Sequence, residues 1–272
     1  MYKRQGLTPC LEGEEGDAYN VDAGGDRVRI GLPGRQLELA QAVLAEGKPT
    51  AVVITGGSAV SMPELAENAP AILYAWYPGG QGGRAVADAL FGRLNPSGRL
   101  PVTIVKSEAD LPDFRDYAMK NRTYRYLETE PLFPFGFGLS YTSFAYAEGE
   151  AKREADGFQV SATVTNCGAQ PGRETVQLYL RDEEASEVLP VHCLKGFRTL
   201  TLQPGESRRV TFHLGERDLA FVGEDGSLHL EDGAFTAFIG GSQPDARSAA
   251  LGAPQTVAIP FRWGEGERVL PY

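Results

Sequence analysis

The feature that most constrains the fold is a change of hydrophobic period near residue 144. Before it, short apolar runs alternate with segments of helical spacing; after it, apolar and polar residues alternate one by one. In the first part, Ala51–Ile54 and Ala71–Trp76 are continuous apolar runs of the kind that buried parallel strands carry, and Leu100–Val105 reads as a third. Between them, Leu37, Ala40, Val43 and Leu44 recur at helical spacing after Pro33-Gly34 and stop at Gly47-Lys48-Pro49. Met62–Glu67 reads as a short helix. Gly79, Gly80, Gly82 and Gly83 open another, with Val86, Ala89, Leu90 and Phe91 as its apolar positions. Strand–helix–strand order with glycine-rich turns predicts an α/β fold: a mostly parallel sheet flanked by helices. Ligands of such sheets bind beyond the carboxyl ends of the strands, where Gly56-Gly57 and Gly79–Gly83 fall.

The second part predicts an all-β sandwich. Phe158, Val160, Ala162 and Val164 alternate with polar residues, and Thr175–Leu180 is a further strand. Thr199–Leu202 and Arg209–Leu214 flank a turn at Gln203-Pro204-Gly205 and are expected to pair; Ala234–Ile239 is the last strong strand. The domain limits read as 1–106 for the α/β part, 107–143 for an ordered, Pro- and aromatic-rich excursion and linker, and 144–272 for the sandwich.

A net charge of -10 argues against nucleic acid and anionic membrane surfaces as partners, and no run of about 18 apolar residues offers a membrane span. Three scattered cysteines give neither a metal-type spacing nor a disulfide framework; Cys167–Cys193 is the one bridge that two strands would allow. The residues after Met1 do not form a signal peptide. The compartment is therefore open, and cytoplasmic if Met1 is the true start.

Chemistry enters at the stretch Gly6-Leu-Thr-Pro-Cys-Leu-Glu-Gly-Glu-Glu15, which packs Glu12, Glu14 and Glu15 into a glycine-rich segment. A carboxylic acid in a positioned loop can give a proton to a leaving oxygen; the alternative is a solvated acidic tail. The same stretch, with Gly25-Asp26-Arg27, Leu32–Gln36, Ala75-Trp-Tyr-Pro-Gly79, Leu90–Pro101, Arg122-Thr-Tyr-Arg-Tyr126 and Phe133–Tyr141, resembles the C-terminal portion of glycoside hydrolase family 3, the β-glucosidase and β-xylosidase family. Downstream, Val164-Thr-Asn166, Val176–Tyr179, Leu194–Phe197, Leu202–Glu206 and Gly240-Gly-Ser242 resemble that family's fibronectin type III-like module.

The resemblance implies a partial α/β sandwich domain, incomplete at its first strands, followed by a fibronectin type III-like sandwich. The family's N-terminal barrel, which carries the aspartate nucleophile, is absent, and Met1 falls about where the strand leading into the Gly6-Leu7 loop is expected. It implies Glu12 as first choice for the general acid/base of a retaining β-glycosidase acting on terminal β-linked glucose or xylose. Glu14 is second, and Glu15 takes the remainder. Trp76, Tyr77, Arg122, Tyr124 and Arg125 are the candidates for binding a β-linked oligosaccharide or glycoside. Core packing explains Trp76 and Tyr77 equally well, and Asp26-Arg27 reads as an ion pair or loop cap. No cofactor and no metal are implied.

The isolated chain is expected to be catalytically incomplete, with a separately encoded barrel as one possible partner. The other reading is a non-catalytic carbohydrate-binding or interaction fragment. An unpaired sheet edge in the α/β part offers a route to self-association. His192, His213 and His229 have no carboxylate or serine motif beside them in the sequence and read as packing or surface residues.

Overall fold

The computed structural model describes the backbone of residues 3–6 and the whole of residues 29–271. Two compact units result. The first takes the described residues up to Leu94, with Thr103–Tyr117 and Thr129–Phe133; the second takes Asn95–Val102, Ala118–Glu128 and Pro134 to the C-terminus.

The first unit is built on a parallel sheet in the order β1 (Lys3–Gly6), β2 (Ala51–Thr55), β3 (Ala71–Tyr74). Val52, Val53 and Ile54 are all buried, so β2 has no solvent face, which is why its sequence is apolar without alternation. Helix α1 (Gln36–Ala45) follows Pro33, α2 (Pro63–Asn68) begins on a proline at its first turn, and α3 (Gly82–Leu90) buries Val86 and Ala89. Gly82 is required at the head of α3, because a Cβ there would lie 2.4 Å from the Pro78 ring.

Two expectations fail between Gly82 and Val105. Phe91 is not on the apolar face of α3: it follows the last helical turn and is 77% exposed, with the Arg93 guanidinium over its ring. Leu100–Val105 is not a strand. Pro101 removes a donor, and the segment makes only single ties, such as the antiparallel bridge between Ile104 and Phe133.

The second unit is a two-sheet antiparallel sandwich, with a small third sheet in the order β13 (Arg268–Leu270), β10 (Leu228–Leu230), β9 (Phe221–Val222). One sheet has the order β4 (Phe144–Glu154), β5 (Gly157–Asn166), β8 (Ser207–Gly215). The other runs β12 (Val257–Trp263), β11 (Gly233–Gly240), β6 (Gly172–Asp182), β7 (Cys193–Leu202). Val160, Ala162 and Val164 of β5 meet Val176, Leu178 and Leu180 of β6 and Phe235, Ala237 and Ile239 of β11 in one core, closed by Trp263.

The expected pairing of the strands around Gln203-Pro204-Gly205 does not occur: β7 pairs with β6, and β8 with β5. The turn is bonded to the end of β5 instead. The Gly205 amide donates to the Asn166 carbonyl at 2.9 Å, the Asn166 amide donates to Glu206 at 3.0 Å, and the Asn166 side chain donates to the Leu202 carbonyl. These bonds hand the chain to the opposite sheet, as in a Greek key. β12 is a strand that sequence reading missed, because Pro260 sits in its middle. It is an edge strand, which is where a sheet tolerates proline. Cys167 and Cys193 are both free thiols. Among the described residues, no helix is long and apolar enough to cross a membrane.

Candidate functional site

The carboxyl ends of the parallel strands define the candidate site. Gly6, the last residue of β1, registers with Thr55, the last of β2, and Tyr74 ends β3 beside Ile54. Gly6, the last described residue before Glu12, Glu14 and Glu15 in sequence, lies at this end. These carboxylates lie outside the described residues, as do Cys10, Asp26 and Arg27. The chain is again described from Arg29, and its return is anchored. The Ser61 amide donates to the Ile30 carbonyl at 2.8 Å, the Ile30 amide to Glu108 Oε1 at 2.7 Å, and the Ser61 hydroxyl to the Lys106 carbonyl at 2.5 Å. Gly6 beside Thr55 and Gly31 beside Ser61 are thus both held to the stretch around the turn that follows β2.

Trp76 and Tyr77 follow β3 at the same end. Trp76 has a left-handed backbone, with φ at 52°, and its ring lies 4.5 Å from that of Tyr74. The Tyr74 hydroxyl donates to the Ser58 carbonyl at 2.6 Å, joining the turns after β2 and β3. Tyr77 is 48% exposed.

Arg122, Tyr124 and Arg125 belong to the other compact unit, around the single turn α4 (Thr123–Tyr126). Tyr124 is held on three sides. Its ring stacks on Phe135 at 4.1 Å, meets Tyr179 edge-on, and its hydroxyl accepts the Leu194 amide proton at 3.0 Å. Burial pushes its phenol above the ordinary range. Asn121 and Thr123, on either side of Arg122, both have positive φ, at 57° and 53°. For β-branched Thr123 this is a genuine outlier, imposed by the anchoring of Tyr124 and of the Arg125 carbonyl, which accepts from Val191. Arg125 itself is exposed, and the Arg122 guanidinium donates to the Ala118 carbonyl.

Sequence reasoning missed three groupings, each assembled from distant parts of the chain. Arg99 and Glu174 form an ion pair at 2.7 Å, with side chains 7% and 0% exposed. Glu174 also accepts the Tyr146 hydroxyl at 2.7 Å, and Arg99 Nε donates to the Gly241 carbonyl. His192 is buried against Tyr124 and Tyr179, and its ring has Gln243 at 3.5 Å. His213 does have carboxylates near it, brought by the β4–β5 hairpin: Glu154 lies 3.2 Å from Nδ1 and Asp156 3.6 Å from Nε2. The three side chains have metal-ligand spacing, with each imidazole nitrogen facing a separate carboxylate. His229 likewise meets Asp225 at 3.0 Å.

Comparison with known proteins decides the family. Residues 5–141 match the glycosyl hydrolase family 3 C-terminal domain, and residues 174–243 match a fibronectin type III-like domain. The chain belongs to glycosyl hydrolase family 3. It is 41% identical over 245 residues to a xylan 1,4-beta-xylosidase of Xylanibacter ruminicola, a match that covers 88% of this chain and 28% of that protein. It is 36% identical to a periplasmic beta-glucosidase of Salmonella typhimurium, covering 88% and 33%. The crystal structure of the Kluyveromyces marxianus beta-glucosidase superimposes with a TM-score of 0.82 at 31% identity, covering 98% of this chain and 31% of that one. This family 3 chain therefore spans about a third of the length of the relatives it matches.

Proposed function

We propose that these 272 residues are the C-terminal part of a retaining β-glycosidase that removes terminal β-linked glucose or xylose. The observation that carries this reading is the match to relatives named as β-xylosidase and β-glucosidase, in a segment that includes the Glu12–Glu15 stretch. Glu12 is the general acid/base, with Glu14 as the alternative, and the nucleophilic aspartate is supplied by a barrel outside these residues, as the family resemblance implies. Retention requires the two carboxyl groups to stand about 5 Å apart.

In the first step the aspartate attacks the anomeric carbon while the glutamic acid protonates the departing glycosidic oxygen. In the second, the resulting glutamate takes a proton from water, which displaces the aspartate from the sugar. The first step needs this acid protonated, so its pKa must stand above the ordinary carboxylate range. Arg122 and Arg125 offer guanidinium donors suited to sugar hydroxyls, and Tyr124 is the anchor that positions them.

The experiment is complementation. A family 3 barrel is supplied in trans or by fusion, and hydrolysis of aryl β-glucosides and β-xylosides is followed with and without Glu12→Gln. Activity that appears with the barrel and collapses in Glu12→Gln supports the assignment. Collapse in Glu14→Gln alone moves the role to Glu14. Turnover by the 272-residue chain alone overturns the dependence on a barrel.

A further inference from the structure

We infer that Trp76 and Tyr77 form a preformed aromatic platform for the face of a β-linked glucopyranose or xylopyranose ring, an inference that rests on the sugar-processing reading above. The first observation is strain. Trp76 is a bulky residue held at φ 52°, at a strand end where an ordinary backbone would continue the chain. Such a conformation persists only where the surroundings over-determine it, and it concentrates at ligand sites.

The second observation is what holds it. The Trp76 ring packs on Tyr74, whose hydroxyl is fixed to the Ser58 carbonyl. Tyr77 lies over Gly57 so closely that a Cβ there would stand 2.6 Å from the ring's Cε2. A glycine after β2 thus makes room for an aromatic ring from the turn after β3, and both rings are set before any ligand arrives.

The third observation is place. The platform stands at the carboxyl ends of parallel strands, where ligands of such sheets bind. Tyr77 is 48% exposed and Trp76 half-buried, whereas Trp263, a core tryptophan, is fully buried. Glucose and xylose in β linkage carry equatorial hydroxyls, which leaves flat C–H faces. A rigid aromatic surface covers such a face with little loss of side-chain entropy.

The test uses the full chain with cellobiose and xylobiose, followed by tryptophan fluorescence and calorimetry. The chain has two tryptophans, and Trp263 is buried, so a ligand-dependent signal reports on Trp76. Expected is a saturable change with both sugars. In Trp76→Phe the fluorescence signal disappears while calorimetry still detects binding. Trp76→Gly and Tyr77→Ala each weaken binding by about tenfold or more. A fall in melting temperature with affinity unchanged identifies Trp76 as a packing residue and overturns the inference. Absence of binding by both methods also overturns it, while the glycosidase reading is then decided by barrel complementation, which does not involve Trp76.

Discussion

Glu174 is the residue whose removal tests the architecture most directly. Its carboxylate is fully buried, pairs with Arg99 at 2.7 Å and accepts the Tyr146 hydroxyl at 2.7 Å. Burial first, and the adjacent carboxylate second, push the Tyr146 phenol well above its usual range. Glu174→Ala strands a buried guanidinium, which costs about 3–5 kcal/mol, and leaves the Tyr146 hydroxyl without its acceptor, about 1–3 kcal/mol more. The two losses share one carboxylate and do not add, so about 4 kcal/mol is expected.

Arg99→Met with Glu174→Leu removes both charges together and should recover most of that loss, since an apolar pair of similar volume often matches a buried ion pair. The assay is urea unfolding followed by Trp263 fluorescence in a Trp76→Phe background, which isolates the unit containing the network. A chain of two units has no single unfolding free energy, so the Trp263 transition is the proper readout. A loss below about 1 kcal/mol in Glu174→Ala, or a double variant as unstable as the sum of the singles, would refute the reasoning.

Three further outcomes are expected. Burial holds the His192 imidazole below its ordinary value, with the Gln243 bond opposing. As pH falls through about 6.5 the unfolded chain takes up a proton that the folded chain refuses, so stability falls with pH there and is fully present above it. His192→Phe should flatten that acid slope in urea midpoints between pH 5 and 7, and an unchanged slope would show that other groups carry it. Gly136→Ala should lower stability by about 2–4 kcal/mol: its φ is 76°, and a Cβ would stand 2.3 Å from Gln177 Oε1 and 2.5 Å from the Tyr179 hydroxyl. A thermal melt that does not move would contradict that crowding. Trypsin should cut first near Arg115, since the guanidinium is exposed and its neighbours Phe114 and Tyr117 are 91% and 89% exposed. Mass spectrometry of the first fragments checks this, and a first cut within β5 or β6 would contradict it.

The fold was legible where one local rule operated alone. β2 and the alternating strand β5 read correctly because burial on two faces and on one face leave different signatures. Reading failed where a distant partner decided the outcome. The turn at Gln203-Pro204-Gly205 looks like a hairpin until Asn166 draws it to the other sheet, and β12 looks broken by Pro260 until its edge position is known. The candidate site divides in the same way. Gly56-Gly57 and Trp76-Tyr77 could be placed at strand ends from sequence, but the backbone of Trp76 and the closeness of Tyr77 to Gly57 could not. The anchoring of Tyr124 by Leu194 and Phe135, and the pairing of Arg99 with Glu174, leave no local trace.

The Arg99 network also sets a timetable for the nascent chain. Arg99 is synthesised 75 residues before Glu174 and 142 before Gly241, whose carbonyl it also binds. Its guanidinium must remain hydrated while those residues are made, and it becomes buried only when the later strands exist to receive it. Contacts so far apart in sequence make closure slow. On the ribosome, residues 95–102 therefore wait for a partner made later, and a pause in translation between Arg99 and Gly241 prolongs that wait.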